Sequence, residues 1–503
     1  MMKKKLLALA LTGLMAGGSL LMPAMAETAA QPSGQTTAAY ALPADTKRIE
    51  EYAFAGNTSL VSVRIPDGVT AIGDYAFAGC TSLQDVILPV GLTEIGAHAF
   101  DGCEALVNIG CPAEEEAVDD ADAPEAASEQ PKEEINDLGG AVRTIFGVFT
   151  NFDSLEAADE EENAAEEDAL LATAGGLRNV VTIGDYAFRG CRSLVSVGEM
   201  SSAMSIGNYA FGGCESLESI GDMPELESIG NGAFGYNYAY DSEKQANETT
   251  YCVTLKSIGD MPKLKKVGQN AFLGCSALES VGNLSSMTKI PDKMFVRLSK
   301  LKSIGDMSNV TSIGEEAFAG CTSLESMENM PNLTKIGREA FAGCLSLKRV
   351  GDMPNLTSID DGAFGIYEFV NAITGNAQYF ACESLESVGS MPKLKKIGWN
   401  AFNGCRSLVR VEDMNYVESI GKWAFYTCAS LESVGNLRRV TSIGEHAFDS
   451  CYALQSVGNL YRVTEIGENA FADCKSLTLH VLPDSYAEQY AKANGIKYTC
   501  IKN

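Results

Sequence analysis

Ile72-Gly73-Asp74-Tyr75-Ala76-Phe77-Ala78-Gly79-Cys80-Thr81-Ser82-Leu83 is a phrase that the chain repeats, with variations, from Phe54 to Phe471. Fifteen phenylalanines hold the place of Phe77, and all but three of the gaps between them are 23 residues. A unit of that length cannot bury its own apolar face, so the units stack into a solenoid. Counting on from each Phe, apolar residues return after six, nine, fifteen and eighteen places: Leu83, Val86, Leu92 and Ile95 follow Phe77, and Leu217, Ile220, Leu226 and Ile229 follow Phe211. That spacing lines the inside of one coil. The segment from Leu83 to Leu88 predicts one short strand per repeat, stacked in parallel, while Ile-Gly-x-x-Ala-Phe turns the chain back along the other side.

The phrase Ile-Gly-x-x-Ala-Phe-x-Gly-Cys-x-Ser-Leu-x-x-Val, closed by Leu88-Pro89 in the second repeat, resembles the BspA-like class of leucine-rich repeats of exported bacterial proteins and of some parasitic protists. The likeness spans about residues 49 to 483, in fifteen units. It implies a right-handed leucine-rich-repeat coil and a role in binding or adhesion at a cell surface. It brings no catalytic residues with it. Eleven inner repeats depart from the commonest form, replacing Ile87-Leu88-Pro89 with sequences such as Gly221-Asp222-Met223-Pro224. The column so created, from Glu199 and Asp222 through Asp260, Asn283 and Asp352 to Asn459, is expected to serve turns, because Asp and Asn accept hydrogen bonds from nearby backbone. An acidic strip for Ca²⁺ is the functional alternative, but such a site needs six or more converging oxygens.

Thirteen of the fifteen cysteines, from Cys80 to Cys474, share one slot of the repeat, and Asn57 fills it in the first. A column at strand spacing, ~4.8 Å, does not suit disulfides, whose Cβ atoms lie ~3.8 Å apart and lean together. These cysteines are expected to be small buried hydrophobes. Cys111 and Cys500 stand outside the column.

The ends divide as follows. Residues 1–26 read as a signal peptide: Lys3 to Lys5, an apolar run from Leu6 to Leu21, then Ala24-Met25-Ala26. Residues 27–48 read as a flexible leader, 49–112 as repeats 1–3, 113–177 as an acidic insert, 178–482 as repeats 4–15, and 483–503 as a cap. In that cap, Tyr486 to Gly495 predicts a short helix with Asp484 or Ser485 at its N-cap, and Ile496 to Ile501 a strand. No second apolar run approaches the ~20 residues of a spanning helix. The expected address is therefore secreted or cell surface, without membrane insertion.

Function is sought where the period breaks. Two gaps of 38 carry 15 extra residues each, both between the Phe and its Cys: Gly235 to Tyr251 and Gly365 to Ala381. Insertions in one slot emerge on one face, here five repeats apart. Their aromatics, Tyr236, Tyr238, Tyr240 and Tyr251 in the first and Tyr367, Phe369, Tyr379 and Phe380 in the second, are the candidate binding residues, since loop tyrosines combine area with a hydroxyl. Packing down on the solenoid is the alternative. The third break, residues 113–177, holds 20 acidic and two basic side chains, a net −18 of the chain's −28. Within it Ile135, Leu138, Val142, Ile145, Phe146 and Phe149 recur at helical spacing. The negative charge argues against nucleic acid and anionic membrane as partners.

An enzyme is not expected. His98, His446 and His480 show no metal-ligand spacing, no nucleophile motif or phosphate loop appears, and no cofactor or metal is implied. The partner expected is an extracellular protein or glycan; the alternative is a structural role in the producer's own envelope.

Overall fold

A computed structural model describes residues 39–111, 176–241, 246–370, 376–412 and 414–501. The signal segment and the helical centre of the acidic insert lie outside these residues. What is described is a parallel β-solenoid of about sixteen turns.

The expected strand appears as Ser62–Arg64, Asp85–Ile87 and Asn108–Gly110, then in shorter form as Ser219–Ile220, Ser257–Ile258, Ser280–Val281 and their successors to Ser433–Val434. Like pairs with like: Ser219 faces Ser257, and Ser280 faces Ser303. The shortening has a cause in the inner form of the repeat. Its Gly lies so close over the preceding turn that a Cβ on Gly259 would meet Asp222 N at 2.6 Å. A second parallel ladder, not foreseen, forms at the Ile-Gly side. Seven strands run from Arg48–Ile49 and Ala71–Ile72 to Lys266–Val267, and eight from Lys289–Ile290 to Glu465–Ile466. Gly73 ends its strand for the same reason, as a Cβ there would meet Glu51 N at 2.8 Å.

Between the ladders lies one core. Consecutive repeat phenylalanines stack ring on ring along the whole solenoid, with centroids 5.0–5.7 Å apart. Beside them the thirteen column cysteines are buried and free, and each thiol donates to the carbonyl of the Phe one turn earlier, as Cys80 Sγ does to Phe54 O (3.1 Å) and Cys474 Sγ to Phe448 O (3.0 Å). Burial pushes the thiols of Cys252, Cys321 and Cys474 up to about 12. Cys111 is buried as well, whereas Cys500 is exposed.

Several members of the Asp and Asn column work as turn chemistry that crosses between turns, while Asn283 and Asp306 accept within their own turns from Ser285 N and Ser308 N. Asp222 Oδ1 accepts from Asp260 N, Asp260 Oδ1 from Asn283 N, and Asp352 Oδ1 from Ser390 N, each at 2.8 Å. The Ile-Gly corner carries a matching ladder through Asp185, Asn208 and Asn231. Oxygens so engaged hold backbone together, which is the structural reading of the column.

At the N-terminal end the stack begins earlier than expected. Ala39–Ala41, placed by the sequence in a flexible leader, pairs in parallel with Ser62–Arg64, and Tyr40 meets the Phe54 ring edge-on at 5.5 Å. The reason is the exposed end of the core, which needs a covering ring. At the other end the helix runs Tyr486–Ala493, Ser485 Oγ accepts from Glu488 N, and Glu488 Oε2 accepts from Asp484 N. Lys497–Cys500 then pairs in parallel with Thr478–Val481. Across the acidic insert the stack closes on itself: Cys111 N donates to Gly176 O (2.9 Å) and Phe100 stacks on Phe188 at 5.4 Å.

Candidate functional site

Both 15-residue insertions are antiparallel hairpins. The first pairs Tyr236–Asp241 with Ala246–Tyr251, the second Tyr367–Val370 with Ala377–Phe380. A local signal marks both: the repeats that carry them read Gly-Ala-Phe-Gly, and Gly232 and Gly362 adopt φ +58 and +65. Elsewhere that position holds a larger residue in the same left-handed conformation.

In the second hairpin, alternation divides the two candidate roles between the faces. Tyr367 and Phe380 are paired across the strands and turn to the solenoid, while Glu368 and Tyr379, the next pair, turn outward. Tyr367 is 5% exposed, and it covers a small cluster of Val296, Ala319 and Ala342 outside the main core. Arg297 Nε donates to its hydroxyl at 2.8 Å. Gly343 makes the room, since a Cβ there would meet Tyr367 Cβ at 2.8 Å and Phe380 Cβ at 3.2 Å. Tyr379 by contrast is 65% exposed; its hydroxyl lies 3.2 Å from Glu368 Oε1, whose charge raises the phenol's pKa. So Tyr367 is a foot and Tyr379 a presented group.

In the first hairpin Tyr236 and Tyr251 are half-buried at the base. Tyr236 meets the Tyr209 ring edge-on at 5.7 Å, and its hydrogen bond, with burial, pushes the Tyr209 phenol up to about 12. Of Tyr238, Tyr240 and Phe369 the structure describes the backbone alone, within the paired strands.

Tyr209 leads to a feature the sequence reading passed over. Two places before each Phe, Tyr52, Tyr75, His98, Tyr186 and Tyr209 form a second, outer stack with centroids 4.4–5.2 Å apart. All five have φ between 53 and 60, which costs a non-glycine residue ~1–2 kcal/mol. A stacked pair returns ~0.5–1.5 kcal/mol, so an aromatic with two stacked neighbours offsets the strain. The middle of the solenoid has Asn270, Lys293, Glu316 and Glu339 there instead, with Lys293 and Glu316 paired at 3.2 Å. Toward the C-terminal end rings return as Trp423 and His446.

The histidines of this column are each paired with a carboxylate. His98 Nδ1 lies 2.7 Å from Asp101 Oδ2, and Arg189 donates to both oxygens of that carboxylate. His446 repeats the pairing with Asp449 at 2.7 Å. The column thiols are sealed in the core, and burial keeps those of Cys252, Cys321 and Cys474 protonated. No helix among the described residues is long and apolar enough to cross a membrane.

The model of the BspA type leucine rich repeat region matches residues 37–121, 176–251, 245–368 and 373–494. Among solved structures, a leucine-rich repeat protein from Bacteroides ovatus is 24% identical over 92% of this chain and 91% of its own, with a TM-score of 0.53. A leucine rich cell surface protein from Faecalibacterium prausnitzii is 25% identical over 64% of this chain and 84% of its own (TM-score 0.35), and the pneumococcal vaccine antigen PcpA is 14% identical over 94% and 91% (TM-score 0.33). No curated protein matches.

Proposed function

The chain belongs to the BspA-type leucine-rich repeat family, and on that premise we propose that it is an exported, non-catalytic binding protein that recognises an extracellular protein or glycan at the cell surface through its hairpin-bearing face. One observation carries the reading: two hairpins leave the same slot of turns five repeats apart, and the second is footed by Tyr367 so that Tyr379 and Glu368 are held outward on a rigid base. A presented tyrosine beside a carboxylate, with its conformational freedom already restricted, is a recognition element rather than a packing residue. The leader at residues 1–26 supports export.

The test is capture of purified matrix proteins and of an arrayed glycan set. Removing the second hairpin would uncover Val296, Ala319 and Ala342, so Glu368→Ala with Tyr379→Ala is the cleaner change, combined with removal of residues 237–250. Lost capture at unchanged melting temperature supports the proposal. Unchanged capture sinks it and leaves a component of the producer's own envelope as the better reading.

A further inference from the structure

On the Ile-Gly side, the turns that follow the second hairpin open into a groove of about 330 Å³ that crosses four consecutive strands, from Lys396–Ile397 to Glu465–Ile466, and reaches back to Asp361 in the turn that carries that hairpin. Along its floor Gly398, Gly421 and Gly444 stack turn on turn, with a Cβ on Gly421 falling 2.6 Å from Trp399 N. Its wall is the indole of Trp399, 48% exposed, whose own N–H backbone is pinned by Asp361 Oδ1 at 2.9 Å. Trp423 lies beside it at 6.0 Å, and His446 stacks on Trp423 at 5.9 Å. Of the chain's two tryptophans, Trp399 lines the groove and Trp423 is its neighbour.

The slot of Trp399 varies along the solenoid: in some turns it holds Asp74, Asp185, Asn208 or Asn231, whose side chains accept from the next turn's backbone, and in others Ala97, Arg338 or Lys422, which cannot. Trp399 is of the second kind, and among the residues in this slot it alone presents a large exposed ring.

We propose that this groove binds a neutral oligosaccharide chain. A pyranose offers an apolar C–H face, which a flat indole matches, and a rim of hydroxyls that donate and accept. The groove lining supplies both kinds of partner: the carboxylates of Asp361, one oxygen of which accepts from Trp399 N, and Glu465, and the ammonium groups of Lys396 and of Lys422, which also pairs with Glu445 at 3.1 Å. Two charges of each sign select neither a polyanion nor a polycation. The floor repeats at strand spacing, ~4.8 Å, close to the length of one sugar unit, so successive turns can meet successive units of one chain. An open trough running across four turns suits a polymer better than a compact metabolite.

Because Trp399 lines the groove and Trp423 lies against it, intrinsic fluorescence of the full mature chain reports occupancy directly. The probes are neutral hexasaccharides of β-linked glucose, N-acetylglucosamine, xylose and mannose. The expected result is a saturable change in tryptophan emission with at least one of them, insensitive to salt, with Trp399→Ala weakening binding roughly tenfold or more, about 1.4 kcal/mol or above, and Trp399→Phe by less. Isothermal titration follows the tryptophan variants, and Glu368→Ala with Tyr379→Ala is expected to leave this binding unchanged, which separates it from the hairpin reading. No response to any neutral oligosaccharide overturns the proposal, as does binding that survives Trp399→Ala, or a response confined to charged peptides and lost in high salt.

Discussion

Two columns of the solenoid sit two residues apart in every turn and behave differently. The inner one is Phe in all fifteen repeats, stacked without interruption. The outer one, two places earlier, is aromatic for five turns, charged or amide through the middle, glycine where a hairpin leaves, and Trp or His near the end. Packing explains the contrast. An inner ring is enclosed by the turns on both sides, so any other volume leaves a hole or a clash, whereas an outer ring has water on its edge and is held only by its neighbours. Invariance therefore marks the scaffold, and the outer column is where this chain differs from turn to turn.

The broadest way to break that contrast is pH. The buried thiols of Cys252, Cys321 and Cys474 stand at about 12, against about 8.5 in an unfolded chain. Between those values the unfolded state has released protons that the folded state retains, so stability falls as pH rises through that window. Melting temperatures taken from pH 8 upward are expected to drop steadily, while a thiol reagent at neutral pH modifies Cys500 alone until denaturant is added. Next in size is Phe318→Ala, which removes a ring stacked on both sides and is expected to cost about 3–5 kcal/mol in urea unfolding.

Smaller effects sharpen the outer column. Tyr75→Ala loses the stacks on Tyr52 (4.8 Å) and His98 (4.4 Å) and keeps the left-handed strain, for a loss of about 1–2 kcal/mol. Tyr75→Gly relieves that strain and is expected to be the more stable of the two in thermal melts, the reverse of the usual order. Asp260→Ala removes the cap on Asn283 N and is expected to cost about 1 kcal/mol. Tyr379→Ala, on the free face of its hairpin, is expected to stay within about 0.5 kcal/mol of the parent.

Much of this was legible in the sequence. The Phe period, the common slot of thirteen cysteines, the sites of both hairpins and the cap from Ser485 onward were all visible in spacing and turn chemistry. The second ladder was not, because strands of two residues such as Ala71–Ile72 show no alternation. Ala39–Ala41 escaped notice since its partner lies 23 residues away and its composition is that of a linker. Among the candidate aromatics, Tyr367 and Tyr379 looked equivalent; strand pairing decided which faced the solenoid. The tryptophan groove was hidden by register, as Trp399 and Trp423 fall in adjacent slots of their repeats and do not repeat one another.

The thiol bonds have a direction. Every column cysteine reaches back to the turn before it, and the capping oxygens of Asp222, Asp260 and Asp352 are met by backbone from the turn after. The first turn has no earlier repeat phenylalanine to reach, and it carries Asn57, which bonds within its own turn to Ser59. A chain emerging from its N-terminus thus presents each new turn with a finished template, so the molecule is built to assemble as it is made, layer on layer, from the end closed by Tyr40.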